Sequence, residues 1–134
     1  MRALLVHEGE RLKAQLNELH ENAYGMGVAA VWCQIDSTLN MEKKREIFLY
    51  ILRLLFDSSL VKWGCRSKIV QDFNLVLDVM ENCWPNDDEF DDGQFLTVLP
   101  YDSDGVLRTH AWIEGDLVWI DSYGKYLWST DAEL

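Results

Sequence analysis

Leu12, Leu16, Leu19 and Ala23 fall at i, i+4, i+7 and i+11, with Lys13, Gln15, Asn17, Glu18 and Glu21 between them. That spacing puts the apolar groups on one face of a helix over about residues 8–24, which Gly25-Met26-Gly27 closes. Val28, Val31, Trp32 and Ile35 repeat the helical period, and the Ala29-Ala30 pair favours helix over strand. Asn40 is placed to cap a third helix with Glu42 in its first turn, and Ile47, Tyr50, Ile51, Leu54 and Leu55 give that helix a broad apolar face ending near Phe56. Leu60-Val61-Lys62-Trp63 is a short strand pattern closed by Gly64. Ser67 then suits the cap of a fourth helix with a buried stripe of Ile69, Phe73, Val76, Leu77, Met80 and Trp84, stopped by Pro85.

Beyond Gln94 the period falls from 3.6 to 2. Phe95-Leu96-Thr97-Val98-Leu99 is apolar and β-branched, and Pro100 to Gly105 is a turn signal. From Leu107 to Glu114 the side chains alternate: Leu107, Thr109, Ala111 and Ile113 on one face, Arg108, His110, Trp112 and Glu114 on the other. Gly115-Asp116 fits a tight hairpin turn into a return strand over Leu117 to Ile120. A second turn at Asp121 to Gly124 leads to a last strand over Lys125 to Trp128. The pattern predicts an α+β fold, about four N-terminal helices followed by a small antiparallel β-sheet, in a single domain over residues 1–134.

Charge sharpens this picture because it is unevenly distributed. Residues 1–64 carry eight acids and eight bases, whereas residues 65–134 carry fifteen acids against Arg66, Lys68, Arg108 and Lys125, so the second half holds the whole net charge of −11. Direct binding of nucleic acid or of an anionic membrane needs positive surface, and this balance argues against both; a cationic protein partner is favoured. The densest point is Asp87 to Asp92, five carboxylates in six positions interrupted by Phe90. The longest uninterrupted apolar run, Ile47 to Leu52, is far too short to span a bilayer, and no basic-then-apolar leader opens the chain. Cys33, Cys65 and Cys83 are an odd, widely spaced set without metal-ligand spacing. Free thiols and a cytoplasmic location are expected.

Catalytic patterns are absent from the sequence. It contains no GxSxG elbow, no phosphate-binding glycine loop and no HExxH, and Gly25-Met26-Gly27 lacks the preceding strand and third glycine of a dinucleotide site. The acidic run fails as a calcium loop: starting at Asp87 places Asp92 where glycine is needed and Val98 where the bidentate glutamate is needed. Starting at Asp88 restores Gly93 but puts Phe90 third and Leu99 twelfth. Five adjacent carboxylates are a solvated group rather than an acid/base pair with one raised pKa. No enzymatic activity, metal or cofactor is expected.

An interaction surface fits these residues better. Asp87, Asp88, Glu89, Asp91 and Asp92 form the principal acidic group, and Glu114, Asp116 and Asp121 form a second, interleaved with Trp112, Trp119 and Tyr123. Aromatic anchors beside carboxylates are the composition expected of a hot spot for an Arg- or Lys-rich partner.

The order of Glu46 to Leu55, Leu60-Val61-Lys62-Trp63, Trp84-Pro85-Asn86-Asp87-Asp88-Glu89, Phe95-Leu96-Thr97 and Val118-Trp119-Ile120 with Trp128 resembles a family of small bacterial proteins. That family includes immunity proteins of polymorphic toxin systems, among them contact-dependent growth inhibition systems. The likeness spans roughly residues 10–128, and this chain departs from it in a longer Tyr101 to Leu107 excursion. It implies a partner, the C-terminal domain of a cognate toxin, for which the charge favours a basic nuclease. It supplies no binding residues of its own. The alternative class is an acidic adaptor that binds a basic host-cell protein with no toxin involved; a large secreted toxin gene immediately upstream distinguishes the two.

Overall fold

The computed structural model describes residues 6–100, 107–129 and 132. Among them are five helices, α1 (Val6–Ala14), α2 (Leu16–Ala23), α3 (Val28–Trp32), α4 (Met41–Asp57) and α5 (Phe73–Cys83). The strands are β1 (Val61–Cys65), β2 (Lys68–Val70), β3 (Phe90–Asp91), β4 (Leu96–Pro100), β5 (Leu107–His110), β6 (Asp116–Ile120) and β7 (Tyr126–Trp128). The α+β class holds, with helices in the N-terminal half followed by strands. The strands form two antiparallel sheets rather than one, in orders β2-β1-β6-β7 and β3-β4-β5.

Helix α4 is the centre of the core. Its cap is Asn40, whose side chain accepts from the Lys43 N–H at 2.8 Å, and its buried positions include Ile47, Phe48, Ile51, Leu52 and Leu55. Around Phe48 the rings of Trp32, Trp84 and Phe95 lie with centroids 5.0–5.7 Å away. A second aromatic contact stacks Phe56 of α4 on Phe73 of α5 at 4.6 Å. Both helices pack against β1, so the larger sheet lies over the α4–α5 layer. Its helix-facing side chains are Val61, Trp63, Leu117 and Trp119, all fully buried.

The elements depart from the periodicity at four points. The single helix expected over residues 8–24 is broken at Gln15, where ψ reaches 1° and the N–H is shared between the Arg11 and Leu12 carbonyls. No Gly or Pro marks that break. Ser67 is not a helix cap: Arg66 and Ser67, with φ of 53° and 64°, form a two-residue hairpin loop that pairs Cys65 with Lys68, and Asp72 caps α5 instead. Ile69 therefore belongs to strand β2. A loop with both central φ values positive normally calls for Asn or Gly, so Arg-Ser gave no sequence signal.

The alternation expected from Leu107 to Glu114 ends at His110, and Trp112 and Ile113 both turn towards the core. Gly115-Asp116 is accordingly no hairpin turn. Strand β5 pairs with β4 in one sheet while β6 pairs with β1 in the other, and residues 111–115 carry the chain between them. Gly115, at φ 87°, lies so close to the Gly64 carbonyl and the Trp63 indole that a Cβ would collide with both. Most of the turn and excursion expected between Pro100 and Leu107 lies outside the described residues.

Candidate functional site

The acidic run is a loop nailed down in its middle. Pro85 biases the preceding Trp84 to extended backbone, φ −57° and ψ 130°, and this ends α5. Trp84 itself stays buried in the aromatic cluster. Asn86 to Glu89 then make a turn closed by the Glu89 N–H donating to the Asn86 carbonyl at 2.9 Å. Phe90 inserts among Trp32, Trp84 and Phe95, with centroids 5.4–5.6 Å away. The short β3 pairs Phe90 with Thr97 and Asp91 with Leu96. The apolar residue that interrupts the charges is therefore the anchor that holds them in place.

With Phe90 inside, the carboxylates divide. Asp87 and Asp88 are exposed, and Glu89 is partly exposed beside the Asn86 amide. Asp91 accepts from the Gly93 N–H at 3.0 Å, bracing the loop against itself. Asp92 belongs to the framework: its carboxylate pairs with the Lys44 ammonium at 3.3 Å, and its carbonyl accepts from the Trp32 indole at 2.8 Å. Lys44 is only 5% exposed and lies over the Trp32 ring, 4.6 Å from its centroid. Lys44 carries no signal in the charge pattern, although its place three and four residues before Ile47 and Phe48 puts it on the buried face of α4.

The second acidic group does not assemble into a surface. Asp116 is 6% exposed, and its carboxylate accepts at 2.7 Å from the N–H groups of both Val28 and Leu117. It fills the place of the missing cap of α3. Gly27 precedes that helix with no side chain of its own, and a Cβ there would strike the Asp116 carboxylate. Trp119 is fully buried, its indole donating to the Met26 carbonyl at 2.7 Å. Neither Asp116 nor Trp119 can meet a partner, because the strand they share lies at the centre of the larger sheet. Glu114 is exposed but pairs with Arg66 at 3.3 Å, and Asp121 caps the turn before β7 by accepting from Tyr123 and Lys125 N–H groups. Trp112 is partly buried, its ring tilted against that of Trp84 with centroids 4.9 Å apart. Tyr123 is 88% exposed and lies on that last turn.

Concave surface also lies away from the acidic loop. A basin of about 640 Å³ lies beside α2, lined by Asn17, His20, Glu21, Tyr24, Leu60 and Asp121. A smaller cavity of about 340 Å³ separates the two sheets above Asp116 and Trp112. Among the described residues no three His, Cys, Asp or Glu side chains are placed to hold a metal ion. No described helix is long and apolar enough to cross a membrane. Cys33, Cys65 and Cys83 are free thiols.

Neither a family model nor a curated protein matches this chain. A solved structure does: an uncharacterized protein conserved in bacteria, from Neisseria meningitidis, superimposes with a TM-score of 0.62. The two are 19% identical, and the match covers 91% of this chain and 93% of that one. At this identity the likeness establishes a shared fold over nearly the whole of both chains.

Proposed function

We propose that this chain is an immunity protein that binds and neutralises the C-terminal domain of a cognate toxin, a basic nuclease, in the cytoplasm. The observation that carries the reading is the loop at residues 86–92, whose exposed carboxylates are fixed to the core through Phe90 instead of waving on a flexible tether. A fixed array loses little conformational entropy when it meets lysines and arginines, so its charge contributes to affinity as well as to encounter. The resemblance in segment order supplies the toxin, and the net charge of −11 held by the second half supplies its sign. No cofactor enters the mechanism. The acids occupy the positive surface on which a nuclease holds phosphate, and the substrate is shut out.

Protection of this kind requires a dissociation constant on the order of nanomolar, about −12 kcal/mol. Replacing Asp87, Asp88 and Glu89 together by Lys is expected to slow association with the toxin domain by about tenfold or more at low salt and to flatten its salt dependence. The fold is expected to survive, since none of the three is buried. Stopped-flow association at two salt concentrations measures this; unchanged rates would remove the loop from the interface.

A further inference from the structure

We propose that a groove along α5 receives the apolar face of a basic amphipathic helix from the partner, beside the acidic loop; this rests on the reading above and names the partner element it needs. The groove holds about 430 Å³ and is lined on one wall by Leu75, Val76, Val79 and Cys83 and on the other by Trp112 and Ile113. Leu75 and Val79 are one helical turn apart and 60% and 46% exposed. They do nothing for the core, because α5 buries a different stripe: Phe73, Val76, Leu77 and Met80. Large apolar side chains exposed at i and i+4 beside a trough of aromatic and aliphatic carbon match the way one helix anchors in the groove of another protein.

Charge identifies what kind of helix fits. Residues 69–107 contain no Lys, Arg or His, while Asp72, Asp78, Asp87 and Asp88 fall along α5 and the loop that follows it. Asp78 lies three residues from Leu75 and one from Val79, flanking the apolar stripe, and is exposed. Cys83, on the groove wall, is four residues before Asp87, so the apolar trough and the acidic loop are continuous along the chain. Arg66, at the neighbouring hairpin, is engaged by Glu114. An acidic or neutral helix gains nothing from this rim; a helix with Leu or Ile on one side and Lys or Arg on the other gains from both.

The test uses the full-length protein labelled with nitrogen-15 and a synthetic helix of about 14 residues, roughly four turns, built from Leu and Lys. A Leu/Glu peptide of equal length is the control. The proposal expects saturable shift changes at the amides of Leu75, Val79 and Cys83 and at the Trp112 indole N–H, with slowed alkylation of Cys83. It also expects binding at least tenfold weaker for the Leu/Glu peptide and for the Leu75→Asp, Val79→Asp double variant. Shifts that are absent or map elsewhere, or equal affinity for the two peptides, overturn it. The same variant is then titrated with the C-terminal domain of any large secreted protein encoded immediately upstream. Undiminished binding overturns the groove and leaves the immunity reading standing. Failure of that domain to bind the unaltered protein, with the Leu/Lys helix seated in the groove, sinks the immunity reading and leaves the groove.

Discussion

Asp87 and Asp92 are the same side chain five residues apart, yet one faces water and the other compensates a buried ammonium. Removing a partner from a buried charge costs more than the pair gains, because the remaining ion is left in a poorly solvated site. Asp92→Asn is therefore expected to destabilise the fold by about 1–3 kcal/mol, less than a fully buried pair would lose because Asp92 is half exposed. Asp87→Asn and Asp88→Asn are expected to stay within about 0.5 kcal/mol of the parent. Urea melts of the three variants decide this, and equal stabilities would contradict the division of the loop into framework and surface acids. Asp116 makes a parallel case: Asp116→Ala strips acceptors from two backbone N–H groups, Val28 and Leu117, and is expected to cost about 1–3 kcal/mol. Asp36 titrates in the opposite direction from a buried acid. Hydrogen bonds from the Thr38 N–H and hydroxyl hold its carboxyl below the ordinary aspartate value. Its contribution is complete above the ordinary carboxylate range and is lost as pH falls through the lowered folded value. The Thr38 amide shift is expected to titrate with a midpoint below that of an unfolded aspartate, and to lose the transition in Asp36→Asn.

The loop at residues 86–92 behaves as an element although it has almost no regular structure, because Phe90 ties it to Trp32, Trp84 and Phe95. Phe90→Ala is expected to cost about 3–5 kcal/mol, as for other buried aromatic truncations, with Phe90→Leu recovering much of it. If thermal melts show Phe90→Ala within 1 kcal/mol of the parent, the anchor is not what holds the acids. At this scale the sequence was legible where one residue type does one job. Asn40 reads as a cap, Pro85 as a stop, and the stripe from Phe73 to Trp84 as a buried face. It was illegible where long-range packing overrides local signals. The hairpin at Arg66-Ser67 lacks a turn residue, the break at Gln15 lacks a breaker, and the bend after His110 pulls Trp112 and Ile113 out of their alternation to cover the aromatic cluster.

Among the described residues of the second half, most of the exposed acids lie on α5, its cap and the loop that follows it, while the second predicted group is dispersed into a helix cap, an ion pair and a turn. Charge content was readable from composition, but its division between surface and framework was not, because burial of Asp116 and Trp119 depends on β6 pairing with β1 across more than fifty residues of intervening chain. A face built of fixed carboxylates beside an apolar trough is suited to a basic protein, with electrostatics governing how fast it arrives and the trough governing how slowly it leaves. The most direct measurement is calorimetric titration of this protein with the C-terminal domain of any large secreted protein encoded immediately upstream, at low and moderate salt. The account predicts one-to-one binding at nanomolar or tighter affinity that weakens as salt rises, with loss of nuclease activity at equivalence. No heat at either salt, with both proteins shown to be folded, or binding indifferent to salt, would contradict it.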